Sequence, residues 1–149
     1  MIGWLLDTNV LSEASKKQPD PRVVAWLQSQ AEENLYLSIL TIAEGDKGIA
    51  KLDQEDPKRA KFMVKWQALE DRFEGRILPL TNPVVRRWGS ISGALEKTGK
   101  PAPVIDTMLA ATALEHDLYL ATRNTADVQG TGAALFNPWK DNPANFPLA

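Results

Sequence analysis

The sequence contains no cysteine and a single histidine among its 149 residues. The absence of cysteine excludes disulfides, zinc–thiolate sites and a cysteine nucleophile, and it agrees with the reducing cytoplasm in which we expect the protein to work. Because His116 is the one histidine, a metal site built from several imidazoles is also excluded. Polar chemistry in this chain must therefore depend mainly on carboxylates.

Long apolar runs and an excess of positive charge are missing as well. No run approaches the ~20 apolar residues of a membrane span, and the N-terminus lacks the basic region and long apolar core of a signal peptide, so we expect no membrane partner and no export signal. The net charge is -2, whereas proteins that hold nucleic acid by phosphate neutralisation alone are usually strongly basic. A nucleic-acid role would require a bound cation or a partner that supplies positive charge.

Short apolar runs alternate with segments of helical periodicity. Length and an ordinary composition, 44% hydrophobic and 24% charged, predict one domain over residues 1–149. Strands are predicted at residues 2–6, 35–40, 76–80, 118–121 and 133–136. Helices are predicted at residues 10–14, 21–30, 41–52, 58–73, 83–97 and 103–116, with a loop at 122–132 and a C-terminal tail over about 140–149. This alternation predicts a three-layer α/β/α sandwich with a central, mainly parallel sheet.

Three acidic residues are placed where such a sheet binds ligands, beyond the carboxyl ends of its strands, and a fourth, Asp106, faces that edge only if its helix starts near it. Asp7 follows the first strand, Glu44 lies in the first turn of the helix after the second, and Asp127 lies in the loop after the fourth. Asp106 lies early in an almost wholly apolar helix, where an acid needs a partner and no basic residue is close in sequence. Together they would select a hard cation, Mg²⁺ or Mn²⁺, which can activate water and neutralise a phosphate.

Each acid also has a purely structural interpretation. Asp7 would cap the helix that follows it, and Glu44 would complete a capping box with Thr41. Asp106 would interact with a helix dipole, and Asp127 would be a solvated loop acid. Their neighbours in sequence argue against four separate coincidences.

Further polar residues flank these acids. Thr8 and Ser38 would either hold the carboxylates by hydrogen bonds or cap the backbone locally. Arg123 would either bind a phosphate or pair with Asp127. Asn124 is either a turn residue or part of the metal site, and the choice between Asn124 and Asp127 as the fourth site residue stays open at this point.

Four stretches, in order along the chain, resemble the motifs of PIN domains. They are residues 5–13 (LLDTNVLSE), residues 36–44 (YLSILTIAE) with 47–49 (KGI), residues 105–113 (IDTMLAATA), and residues 120–127 (LATRNTAD) followed by 130–132 (GTG) and 136–139 (FNPW). The subgroup they most resemble is the VapC/FitB-like toxins of bacterial type II toxin–antitoxin modules. Many members have Thr-x-Asp where this chain ends the triplet with Asn124, so Asp127 is the predicted substitute.

The resemblance implies a Mg²⁺-dependent endoribonuclease in which Asp7, Glu44 and Asp106 are the metal-binding catalytic acids. It also implies a homodimer, RNA substrates such as tRNA, and a small VapB/FitA-like antitoxin through which alone operator DNA is bound. Two alternatives remain: a subunit that acts mainly in the DNA-bound complex with its antitoxin, and a housekeeping RNA-processing nuclease.

Two apolar helix faces predict where an amphipathic helix of such a partner would bind. They contain large side chains at helical spacing: Phe62, Trp66, Leu69 and Phe73 in one helix, and Val23, Trp26 and Leu27 in another. Packing in the core is the alternative for either face.

Overall fold

A computed structural model describes residues 1–149 and contains a five-stranded sheet in the order β3-β2-β1-β4-β5. All four strand pairs are parallel. The strands are β1 (Gly3–Leu6), β2 (Leu35–Ser38), β3 (Ile77–Leu78), β4 (Leu118–Ala121) and β5 (Leu135–Phe136). Since β1 lies between β2 and β4, the strand order reverses there, and such a switch point opens a crevice at the carboxyl edge of the sheet.

Seven α-helices accompany the strands. They are α1 (Thr8–Ala14), α2 (Pro21–Ser29), α3 (Ile39–Ala50), α4 (Pro57–Arg72), α5 (Asn82–Lys97), α6 (Val104–Glu115) and α7 (Thr125–Val128). Short 3₁₀ turns occupy Glu32–Asn34, Gln129–Thr131 and Pro143–Asn145. No helix combines the length and apolar character needed to cross a membrane.

Local sequence signals explain where several helices begin. Asp20 and Asp56 each accept a backbone N–H as N-caps, and a proline occupies the first turn of α2, α4 and α5. Proline suits that position because its missing N–H would be unpaired there in any case.

Apolar side chains cover both faces of the sheet. Trp4 and Leu6 of β1 pack against Val10 and Trp26 on one face. Leu5, which points the opposite way, packs on the other face against residues of α6 such as Leu109. Because helices bury apolar residues against both faces, the molecule has three layers, and the predicted α/β/α sandwich with a parallel sheet is confirmed.

The structure corrects the predicted boundary between the second strand and the following helix. β2 ends at Ser38, whose hydroxyl accepts the Leu40 backbone N–H, and α3 begins at Ile39. Thr41 is therefore inside the helix and buried, so the capping-box interpretation is wrong. Glu44 lies in the second turn rather than the first.

The C-terminal end of the chain also differs from a simple loop and tail. The predicted loop at residues 122–132 contains α7 and a 3₁₀ turn. Residues 140–149 fold back onto the face of the sheet that Trp4 and Trp26 cover, where Phe146 contacts the rings of Tyr119 and Phe136. Tyr119 fixes this segment further, since its hydroxyl donates to the Pro147 carbonyl at 2.8 Å.

Candidate active site

Asp7 lies directly after β1, and its carboxylate accepts three hydrogen bonds. Oδ1 accepts the Thr8 backbone N–H at 2.7 Å, which makes Asp7 the N-cap of α1. Oδ2 accepts the Thr122 hydroxyl at 2.7 Å and the Asn9 side-chain amide at 3.2 Å. The residue is only 8% exposed, and burial raises the pKa of Asp7, while the hydrogen bonds from Thr122, Thr8 and Asn9 partly oppose the rise. The Asp7 side chain therefore caps α1 and is also held in place at the carboxyl edge of the sheet.

Glu44 reaches the same edge of the sheet from α3. Its Oε1 accepts the Thr8 hydroxyl at 3.0 Å, while the Thr8 backbone N–H binds Asp7. Thr8 therefore links the carboxylates that follow β1 and β2. Glu44 itself is exposed, so its side chain retains freedom to adjust to a ligand.

Asp106 occupies the first turn of α6 and is surrounded by negative charge. Burial raises the pKa of Asp106, and the charges of Asp7, Asp127 and Glu44 raise it further. None of these four carboxylates forms an ion pair with a basic residue. Electrostatic effects of this kind fall off with distance, so Asp7, Asp127 and Glu44 all lie within range of Asp106. We call this group, Asp7, Glu44, Asp106 and Asp127, the acidic mouth.

The donor set of the acidic mouth fits a hard divalent cation. All its donors are carboxylate oxygens, neither sulfur nor imidazole is present, and positive charge would remove the repulsion that raises the pKa of Asp106. No three of these side chains form a closed set of metal ligands in the arrangement described. Binding of an ion by three of them would require a rearrangement of side chains, and Glu44 and Asp127 are exposed enough to allow one.

Of the three residues predicted to support the acids, Thr8, Ser38 and Arg123, only Thr8 bonds a carboxylate of the acidic mouth. Thr8 bonds Glu44 as described. Ser38 bonds no carboxylate and instead caps α3. Arg123 makes no ion pair with Asp127; its guanidinium lies over the Trp139 ring, 5.0 Å from the centroid.

Sequence reasoning gave no site role to Thr122 or Asn9, which hold Asp7. Thr122 follows β4 directly and is almost fully buried. The Thr122 hydroxyl oxygen also accepts the Asn124 backbone N–H at 3.0 Å. Of the two candidates for the fourth site residue, Asp127 is the one whose charge acts on Asp106. The sequence could have indicated a site role for Thr122, because it is a polar residue at the carboxyl end of a strand that neighbours β1.

A groove of about 720 Å³ adjoins the acidic mouth, since Thr8 and Glu44 are among its lining residues. Its apolar lining includes Leu11, Val24, Leu27, Phe62, Trp66 and Leu69. Phe62, Trp66 and Leu69 of α4 line it as predicted, and so does Phe73, the residue after that helix. The predicted face of α2 is divided, because Leu27 lines the groove whereas Val23 and Trp26 do not. Val23 and Trp26 are buried in the core at 0% and 4% exposure, because α2 turns Val24 and Leu27 to the groove.

Fold and site together define a three-layer α/β protein with a carboxylate cluster at the switch point of a parallel sheet, an arrangement suited to metal-assisted hydrolysis of phosphodiesters. The PIN domain model matches residues 4–127. The chain belongs to the PIN-domain family, as the motifs predicted.

Two curated relatives and one solved structure are similar along most of the chain. Toxin FitB of Neisseria gonorrhoeae is 42% identical over 137 residues, covering 92% of this chain and 99% of the relative. VapC ribonuclease Y4jK of Sinorhizobium fredii is 34% identical over 137 residues, covering 91% and 97%. The structure of FitAB bound to an IR36 DNA fragment contains a chain that is 40% identical, with a TM-score of 0.85 and coverage of 93% of this chain and 97% of that one.

Proposed function

We propose that this protein is the toxin of a type II toxin–antitoxin system and acts as a Mg²⁺-dependent endoribonuclease in the cytoplasm. The observation that carries the proposal is the convergence of acidic side chains at the carboxyl edge of a parallel sheet: Thr8 bonds both Asp7 and Glu44. Asp106 lies within range of their charges, and burial and then these charges raise its pKa. Relatives similar over nearly their whole length are named as a toxin and a ribonuclease. Structured RNA such as tRNA is the proposed substrate.

The acids have distinct tasks in this proposal. Asp7 and Asp106 would provide the least exposed oxygens of a metal site, and Glu44 and Asp127 would close it from the solvent side. A bound Mg²⁺, or Mn²⁺, supplies charge neutralisation at the phosphate and acidifies a water molecule. Thr122 orients the Asp7 carboxylate, and Thr8 holds Glu44 within reach of it.

The groove beside the acidic mouth is the proposed antitoxin site. Its apolar lining from α1, α2 and α4 suits the apolar face of an amphipathic helix, and Glu44, which it shares with the acidic mouth, would attract a basic side chain of the partner. The solved FitAB structure that contains a similar chain is bound to a DNA fragment. Because the chain has a net charge of -2, it lacks the excess of positive charge that holds DNA phosphates. We therefore propose that it reaches operator DNA only through its antitoxin.

Cleavage of RNA by the purified protein tests the enzymatic part. Asp7→Asn, Glu44→Gln and Asp106→Asn should each abolish cleavage while circular dichroism shows an intact fold. Asp46→Asn, an exposed acid on α3 outside the acidic mouth, is the matched control and should cleave normally. Full activity of Asp106→Asn, free of wild-type protein, would remove the central claim.

Growth of the host tests the toxin part. Expression of the chain alone should slow growth, and co-expression with a small gene encoded beside it should restore growth. A protein that cleaves RNA in vitro but is harmless alone, with no small neighbouring gene, would favour a housekeeping nuclease. Growth arrest that persists in Asp106→Asn would favour a non-catalytic role.

A further inference from the structure

Positive charge is scarce at the edge of the sheet where RNA would have to approach four carboxylates. Within the first four residues after each of the five strands, the only basic residues are Arg123 after β4 and Lys140 after β5. Neither forms an ion pair. Since like charges repel, a polyanion can bind beside the acidic mouth only if nearby cations hold its flanking phosphates.

The backbone of Arg123 is tied to the acidic mouth. The preceding residue, Thr122, bonds Asp7, and the Arg123 backbone N–H donates to Asn9 Oδ1 at 3.3 Å. Asn9 in turn donates its amide to Asp7. The position from which the Arg123 side chain departs is therefore set by the same contacts that position the carboxylate of Asp7.

The side chain of Arg123 rests on Trp139. Its guanidinium lies 5.0 Å from the ring centroid, a distance at which the cation is attracted to the π face. Trp139 follows β5 in a turn closed by two hydrogen bonds: Asn137 Oδ1 accepts the Trp139 backbone N–H at 2.9 Å, and Asp141 Oδ2 accepts that of Asn137 at 2.8 Å. The Arg123 guanidinium forms neither an ion pair nor a side-chain hydrogen bond, although Glu13 lies within range of its charge. Its N–H donors can therefore bind a phosphate.

Other cations lie on the same side of the molecule. Lys140 follows Trp139, and the Arg22 guanidinium donates to the Lys140 and Asp141 carbonyls at 2.9 and 3.1 Å. Lys16, mostly exposed, pairs with the buried Glu13 at 2.9 Å. Glu13 is almost enclosed by protein, whereas the Lys16 ammonium faces solvent. A polyanion at the surface would therefore meet Lys16 before Glu13.

We propose that Arg123, stacked on Trp139 and flanked by Lys140, holds a backbone phosphate of RNA next to the nucleotide at the acidic mouth. This inference rests on the proposed ribonuclease function and assigns the substrate a direction of approach, past the ends of β4 and β5. It gives Arg123 a positioning role outside the group of acids. A purely structural role, in which the stack only secures the turn after β5, would make the guanidinium irrelevant to RNA.

RNA affinity and its salt dependence test this proposal. Fluorescein-labelled single-stranded RNA is titrated with Asp106→Asn protein in Mg²⁺, with and without Arg123→Ala, over a range of KCl concentrations. Arg123→Ala should weaken binding about 5- to 10-fold and lower the slope of log Kd against log salt by about 0.7, the loss expected for one phosphate contact on a single strand. Arg123→Lys should recover part of the affinity because it keeps the charge.

Arg86→Ala is the matched control, since Arg86 is an exposed arginine on α5, and its affinity and slope should stay unchanged. In the active protein, Arg123→Ala should raise KM with kcat within about twofold. Unchanged affinity and slope, with a lower melting temperature alone, would overturn the proposal. If wild-type protein cleaves no RNA yet binds it through Arg123, the proposed enzymatic function fails while the phosphate site stands.

Discussion

The Thr122 hydroxyl donates a 2.7 Å hydrogen bond to Oδ2 of Asp7, joining the ends of β4 and β1 inside the protein. Thr122→Val keeps the shape of the side chain but leaves a buried carboxylate and the Asn124 N–H without this partner. We expect the free energy of unfolding at pH 7 to fall by about 1–3 kcal/mol, measured by urea denaturation. Thr122→Ser, which retains the hydroxyl, should stay close to wild type; equal stability of the two variants would contradict the expectation.

Removal of charge at Asp106 should stabilise the metal-free protein. The pKa of Asp106 is raised above its ordinary 3.8, first by burial and then by Asp7, Asp127 and Glu44. The folded state therefore retains this proton to higher pH than the unfolded state does, and stability falls as pH rises from 3.8 through the raised value. In EDTA at pH 7, Asp106→Asn should accordingly melt at a higher temperature than wild type.

The pH series provides the check on that prediction. The difference in melting temperature between Asp106→Asn and wild type should shrink as pH falls towards 3.8, because the Asp106 carboxyl is then increasingly protonated in both the folded and the unfolded state. Asp46→Asn, which removes an exposed acid elsewhere on α3, controls for the change in net charge. If Asp106→Asn melts lower than wild type in EDTA at neutral pH, the Asp106 carboxylate stabilises the fold, and repulsion among the acids does not destabilise it.

Cleavage should depend on a divalent cation. Activity is expected to stop in EDTA and to return with Mg²⁺ or Mn²⁺ but not with Ca²⁺, whose larger and looser coordination suits in-line chemistry poorly. Thermal melting adds a readout apart from activity, because Mg²⁺ should raise the midpoint of wild type more than that of Asp106→Asn. Cleavage that persists in EDTA would indicate a metal-free mechanism.

Gly45 controls the shape of the groove. A Cβ at this position would overlap the Trp66 ring, so Gly45→Ala must displace that ring, which donates to the Ile42 carbonyl at 3.1 Å and stacks on Phe62. We expect a loss of about 1–3 kcal/mol in unfolding free energy and weaker binding of the antitoxin, measured by calorimetry.

Gly48→Ala on the same helix is the matched control. Its Cβ would lie 3.8 Å from Phe62, an ordinary contact, and alanine is the better helix former. Stability and antitoxin affinity should be unchanged or slightly improved. Loss of affinity in Gly48→Ala equal to that in Gly45→Ala would show that crowding of Trp66 is not the cause.

The sequence by itself determined the class of fold and the candidate acids. Alternating strand and helix patterns with polar residues at strand ends predict a parallel sheet, and parallel strands place those residues at one edge whatever the exact boundaries. Asp7 and Glu44 could therefore be selected without coordinates, and Asp106 could be selected as an acid in an almost wholly apolar helix. The apolar stripe of α4 was equally accessible, since its spacing is a local property of one helix.

Tertiary structure decided the relations that join distant segments. Thr122 and Asp7 are 115 positions apart, and no local pattern records that their side chains meet. The rotation of α2 about its axis was also undetermined, because Val23 and Val24 are both apolar and only packing against β1 buries the first and turns the second to the groove. The stack of Arg123 on Trp139 arises in the same way: it depends on where β4 and β5 end beside each other, which the pairing of the whole sheet sets.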